Sequence, residues 1–170
     1  MILNEGVSEM KKYAMKPDAA SGLFRVVALR DFDFVAAGDV GGLIESEANL
    51  SHKGDCWVSD NARVTDSARV SGDAHVFGNA RVSGNARVSG DAEVTGHARV
   101  SGNARVSGNA GVSGYARVSG DARVSGDAQV SGDAQVSGDA RVGGYARVSG
   151  NAGVSGYARV SGDARNSSEA

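Results

Sequence analysis

Valine recurs every six residues from Val58 through Val160 without a gap, eighteen times in succession. Alanine holds the position two before the next valine, from Ala62 through Ala164, also without a gap. The unit between them reads Val-Ser-Gly-Asn/Asp-Ala-Arg, and only its fourth and sixth positions vary freely. Self-similarity at a fixed spacing marks an array of stacking units and outranks local propensity. A helix is excluded, because a period of six does not match 3.6 and Val-Ser-Gly-Asp is poor helix text. A collagen repeat fails for want of glycine at every third position and of proline, of which the chain has one. A disordered linker shares the Gly, Ser and charge content, but has no reason to keep its valines in phase.

Six residues make physical sense as a short strand plus a corner. In Ala-Arg-Val-Ser, alternation sends Val inward while its neighbours Arg and Ser face out. Gly and Asn/Asp then turn the chain, since both tolerate the left-handed backbone values of a tight corner. Ala fits the crowded inside of that corner. Three units close a triangle and the next three stack on it, which predicts an all-β, single-stranded parallel β-helix. The eighteen hexads predict about six triangular coils at ~4.8 Å per coil. The predicted core is Val64, Val70, Val76, Val82, Val88, Val94, Val100, Val106, Val112, Val118, Val124, Val130, Val136, Val142, Val148 and Val154, with Val58 and Val160 at the ends.

Outside the array the text is irregular. Residues 1–23 read as a flexible N-terminal lead-in, with Met10 as an alternative start to Met1. Residues 24–57 hold the aliphatic clusters and read as an irregular N-terminal β cap, residues 58–165 as the β-helix, and residues 166–170 as a C-terminal tail. Within the cap, "LFRVVAL" (23–29) reads as a strand with Phe24, Val26 and Ala28 on one side. Gly41-Gly42 and Lys53-Gly54-Asp55 read as turns. Cys56 falls in the inward alanine register, and Trp57 in an outward arginine slot that the cap is expected to cover.

The repeat resembles the hexapeptide motif of left-handed β-helix proteins, the trimeric LpxA-like superfamily, with an aliphatic first position and a small fifth one. That family usually carries Gly second, whereas here Ser is second and Gly third. "ALRDFDFVAAGDVGGLIESEANLSHKGDCWVSDNARV" (28–64) is similar to the opening of YdcK-like proteins, widespread in bacteria and their phages. With the repeats, the resemblance covers roughly residues 10–165. It implies left-handed coils and an N-terminal cap. It implies no reaction, because function resides in sites rather than in a fold.

Catalytic signals are weak. Related acyltransferases use a histidine near a subunit interface, with loops that interrupt the repeats to wall a pocket. Here His52 lies in the cap, His75 in an arginine slot and His97 in an Asn/Asp slot, and no hexad from Val58 to Asn166 carries an insertion. His52 and Cys56 do not make a zinc site, and the Gly-Gly-x-Gly-x-Asp nonapeptide of calcium-binding β-rolls is missing. No cofactor and no metal are expected. A non-enzymatic scaffold or interaction protein is the leading expectation, with a hexapeptide-type acyltransferase as its rival. The net charge of −2 argues against nucleic acid and anionic membrane. The lone cysteine and the absence of a signal-peptide layout make cytoplasmic the expected location, in a bacterial or phage-encoded setting.

The arginine slots supply one candidate site. Taken three at a time, they leave one side of the prism carrying only arginine: Arg69, Arg87, Arg105, Arg123, Arg141 and Arg159. That row predicts a ladder for polyanions, set against nine Asp and one Glu elsewhere in the repeats that favour a mixed solvated surface. "GNAGVSGYARVSGDAR" occurs at 108–123 and again at 150–165, an offset of seven hexads that turns each copy to a different side. Growth by repeat slippage suits a scaffold better than a placed active site. The partners expected are a second copy of the chain, as trimer or end to end, and a protein at an uncapped C-terminal coil.

Overall fold

In the computed structural model, which describes residues 10–168, the hexads stack as a parallel β-solenoid. Each hexad contributes a two-residue strand ending in its valine, and residues eighteen apart pair in parallel register, as in Val82 with Val100 and Val88 with Val106. Three sheets result, one per side of the prism. The first side runs through the strands at Arg63, Arg81, Arg99, Arg117, Gln135 and Gly153. The second runs through Arg69, Arg87, Arg105, Arg123, Arg141 and Arg159. The third runs through Trp57, His75, Glu93, Gly111, Gln129, Arg147 and Arg165.

The core is the expected one. Val64 through Val154, with Ala62 through Ala152 in the corners, are buried, while the residue before each valine is exposed at nearly every coil. Removing one Val side chain from water contributes roughly 1.5–3 kcal/mol, so no single coil is stable alone and the stack supplies stability cooperatively. Corners are closed by glycines at φ near +67° that lie on one another. A Cβ placed on Gly102 would meet the backbone N and O of Gly120 at 3.0 Å each. The corners are therefore bare backbone edges, and side chains radiate only between them.

Seven coils form where six are expected. The extra one comes from the segment read as cap: Ile44, Leu50 and Val58 occupy the inward positions of a first coil, through the pairs Ile44 with Val64, Leu50 with Val70 and Val58 with Val76. Ile44 and Leu50 already keep the six-residue spacing, and two additional residues around the Lys53–Asp55 bend delay Val58. Gly41-Gly42, read as a turn, instead lies inside strand β3 (Val40–Ile44). The glycines serve close packing there, since a Cβ on Gly41 would lie 2.4 Å from the Val58 carbonyl and 2.7 Å from the Trp57 ring.

The lead-in also carries structure. Strand β1 (Tyr13–Asp18) pairs antiparallel with β2 (Leu23–Ala28), and β2 pairs antiparallel with β3. Pro17 is tolerated because β1 is the edge of its sheet. At the other end, a strand at Arg165–Ser168 runs from the last hexad into the expected tail, beside Arg147–Gly150. Residues 1–9 of the lead-in, with the Met1 start, and residues 169–170 of the tail lie outside the described residues.

Buried polar groups lock the cap to the first coil. The Lys12 ammonium, wholly buried, donates to the Gly54 carbonyl at 3.0 Å and the Cys56 carbonyl at 2.7 Å, and lies 3.3 Å from Cys56 Sγ. Its three donors are thus satisfied, and the charge sits 5.0 Å from the centre of the Phe32 ring. Buried Asn49 accepts from the N–H groups of Glu45 and Ser46 and donates to the carbonyls of Asp66 and Ala68, which stitches the first coil to the second. Trp57 is covered as expected, edge-on to Phe32 and Tyr13.

Candidate functional site

The three histidines and the cysteine separate into structural roles. His52 accepts the Lys12 N–H at Nδ1 (3.1 Å), so its Nε2 carries the proton and donates to Glu47 (2.8 Å). Its ring stacks on Tyr13 at 4.2 Å. Burial pushes the Cys56 thiol upward in pKa, against the pull of Lys12, and holds the Tyr13 phenol well above its ordinary value. Its hydroxyl donates to the Leu50 carbonyl at 2.7 Å. His75 lies on the third side, 3.5 Å from Asp33 and edge-on to Phe34. His97 lies at the corner leading into the first side, so His75 and His97 occupy different sides, as their slots predict. Among the described residues no three metal-ligating side chains come together. No helix among them is long and apolar enough to cross a membrane.

The arginine ladder is present in the geometry. Arg69, Arg87, Arg105, Arg123, Arg141 and Arg159 are register partners in unbroken succession along the second side. Among the described residues, none of the six is held in an ion pair. The columns at the two corners of that side temper the row. Asp73 and Asp91 follow Arg69 and Arg87, Asp121 and Asp127 flank Arg123, Asp139 precedes Arg141, and Asp163 follows Arg159. At the N-terminal end, Glu47, Leu50, Ser51 and His52 form a shallow depression with Arg69 and Arg87, of about 550 Å³.

The first side carries a second row that the all-arginine criterion overlooks. Arg63, Arg81, Arg99 and Arg117 are register partners, followed by Gln135. Parallel to them, one corner away, stand Asn79, His97, Tyr115 and Asp133. His97 and Tyr115 are one coil apart and stack face to face, 4.8 Å between centroids and 5° between planes. A groove of about 410 Å³ runs between the two rows. It continues past Asn79 and Arg81 into a second depression bounded by Asp18, Ser21, Arg25 and Arg63.

Comparison with known families follows the repeat. The YdcK beta solenoid repeat matches residues 58–72, 74–90, 80–96, 98–114, 116–132 and 146–162, more than half of the chain. The chain belongs to the YdcK beta solenoid repeat family. No curated protein matches it. Every match of the YdcK repeat lies in the hexads, whose Val and Ala build the core and whose glycines build the corners, so membership speaks to architecture. The residues that distinguish one coil from the next, among them His97 and Tyr115, are outward positions that vary among the hexads of this chain.

Proposed function

We propose that this YdcK repeat protein is a non-enzymatic solenoid scaffold that presents its sides to partners and associates with itself. The uninterrupted stack carries this reading. From Val58 to Val160 the hexads run without an insertion and no loop leaves a side, so no wall encloses a substrate from water. An acyltransferase needs such a pocket to orient two reactants. Its left-handed coil, its cytoplasmic setting in bacteria or phage, and its independence of cofactors belong to the same reading, supported by the resemblance of the repeat.

Self-association is supported by the last coil. Among the described residues, the strands at Gly153, Arg159 and Arg165 have a neighbour on one side only, and Ala158 and Ala164 are exposed where their counterparts above are buried. Unpaired strand edges template pairing with another chain. Light scattering on the full chain tests this. A homo-oligomer that Val160→Asp returns to monomer supports the scaffold, and a monomer at every concentration refutes self-association.

A second reading is favoured by the register of the arginines. Rows of unpaired guanidinium groups at one per coil form a receptor for a linear polyanion, with the row from Arg69 to Arg159 as the longest. Retention on an anionic matrix, released by salt, is its simplest test.

A further inference from the structure

We propose that the groove on the first side, between the Arg81–Arg99–Arg117 row and the His97–Tyr115 stack, binds a linear carboxylated polysaccharide. The inference rests on the second reading above, that arginine rows receive a polyanion. It places the site on a different side from the longest row and names the ligand class.

Local charge decides the side. Five of the six arginines on the second side have an aspartate next to them in the corner columns of their own coil. By contrast, Arg81 is bordered by Asn79 and Asn85 and Arg99 by His97 and Asn103, and of the three only Arg117, between Tyr115 and Asp121, has an aspartate at a corner. The Asn85 amide donates to the Asn103 carbonyl at 3.2 Å, and the Asn103 amide donates in turn to the Asp121 carboxylate at 3.0 Å, which engages that carboxylate along its own column. Among the described residues, no hydrogen bond or ion pair holds the guanidinium groups of Arg81, Arg99 or Arg117. In the column that lines the groove the acid is Asp133, at one end beside Gln135; Asp121 stands at the opposite corner of the first side, beside Arg117. Asp18 faces the charges of Arg25 and Arg63 at the other end. Three guanidinium groups without a hydrogen-bond or ion-pair partner in a straight row define a stretch for about three successive anionic groups.

Spacing and lining choose the ligand. The arginines repeat once per coil, at ~4.8 Å. An extended acidic peptide presents same-side carboxylates every second residue, ~6.6 Å apart, and falls out of step. Duplex DNA carries one phosphate per ~3.4 Å of each strand on a curved path, which a straight row cannot follow. A chain of uronic acid rings carries a carboxylate on every ring, which the planar arginine fork binds in two-pronged fashion. The rest of the lining suits such rings. Asn79, Gln135 and the Tyr115 hydroxyl offer neutral hydrogen bonds for sugar hydroxyls, and the aromatic stack, with Tyr115 61% exposed, offers an apolar edge for ring C–H groups.

The test is fluorescence anisotropy of a labelled oligogalacturonate decamer with the full-length protein at low salt. Arg81→Gln, Arg99→Gln and Arg117→Gln are combined in one variant, and Arg87→Gln, Arg105→Gln and Arg123→Gln in another. Glutamine already occupies the same slot at Gln129 and Gln135 without disturbing the strand, so both variants retain the fold, checked by circular dichroism. The expected result is a loss of about tenfold or more in affinity for the first variant and less than about twofold for the second. Tyr115→Ser is expected to weaken binding severalfold. Loss confined to the second variant overturns the groove while leaving the polyanion reading standing. No binding of the decamer, or of heparin and single-stranded DNA, by the unmodified protein overturns both. Tighter binding of a single-stranded oligonucleotide of equal charge, lost in the first variant, overturns the choice of ligand.

Discussion

Substituting one corner glycine separates backbone conformation from stacking. Gly102 has φ +67° and sits directly over Gly120. In Gly102→Ala, the left-handed conformation costs roughly 1–2 kcal/mol for a residue with a Cβ. Crowding that Cβ against the rigid backbone of Gly120 costs roughly 1–3 kcal/mol more. A narrower unfolded ensemble returns about 0.4–1 kcal/mol. The net loss is about 1–5 kcal/mol. Aspartate at the same place behaves differently, because the protein already holds that arrangement one coil from the cap. Asp66 stands in the same corner column at φ +58°, and its carboxylate accepts the Gly84 N–H of the coil below at 2.9 Å. Asp60 does the same to Gly78 in the neighbouring column. Aspartate visits the left-handed region more readily than alanine, and Gly102→Asp gains a hydrogen bond from Gly120 that alanine cannot make, worth ~0.5–1.5 kcal/mol net. The larger residue is therefore expected to be the milder one, by at least ~0.5–1.5 kcal/mol relative to alanine. Equilibrium urea unfolding of the three proteins, followed by circular dichroism and compared at equal slope, measures the difference. Gly102→Ala within about 0.5 kcal/mol of the parent, or Gly102→Asp worse than Gly102→Ala, refutes the stacked-corner account.

Depth in the stack sets a second expectation: Val106→Ala, fully buried, loses about 2–3 kcal/mol in the same unfolding assay. Val160→Ala, in the half-open last coil, loses under about 1 kcal/mol. Lys12→Met removes the donor to two carbonyls and is expected to destabilise the cap by roughly 1–3 kcal/mol, read from Trp57 fluorescence during thermal unfolding. Acid sensitivity follows from Glu47, whose carboxyl the Lys11 ammonium and then His52 hold below the usual carboxylate range. A depressed folded-state pKa contributes stability above the unfolded value that is lost as pH falls through the folded one. The Tm advantage of the parent over Glu47→Gln is therefore expected near neutrality and to vanish in acid. An advantage that grows on acidification contradicts the assignment.

The array was legible because one position of the hexad tolerates nothing larger than alanine and another needs an aliphatic, and both rules repeat unchanged. The first coil was harder to read. Its Ile44 and Leu50 obey the six-residue spacing, but the Lys53–Asp55 bend shifts the phase and hides their continuity with Val58. Strand β1 was illegible for a different reason. Tyr-Ala-Met-Lys-Pro-Asp looks like a lead-in until its neighbour β2 is in place, and the burial of Lys12 depends on carbonyls forty residues away. The arginine ladder could be read by writing the chain eighteen residues to the row, and the same layout puts His97 above Tyr115. The groove between that pair and the shorter arginine row required attention to where the aspartates are absent. A count of arginines alone favours the side where acids stand beside nearly every one.

The cap does more than shield one end. Hexads this alike make the array nearly degenerate under translation: sliding one segment by a whole coil returns valine onto valine and glycine onto glycine. A stack of such coils has no internal origin. Among the described residues, the features of core and backbone that break the degeneracy include those of the first coils, namely the buried Lys12, the Asn49 stitch, the two-residue phase slip before Val58 and the aspartates at Asp60 and Asp66. These act as a phase reference from which every later coil takes its register. Lengthening or shortening the rod by whole coils beyond that reference leaves the register of the remainder intact, whereas damage to it leaves a chain able to pair with itself in many equivalent ways.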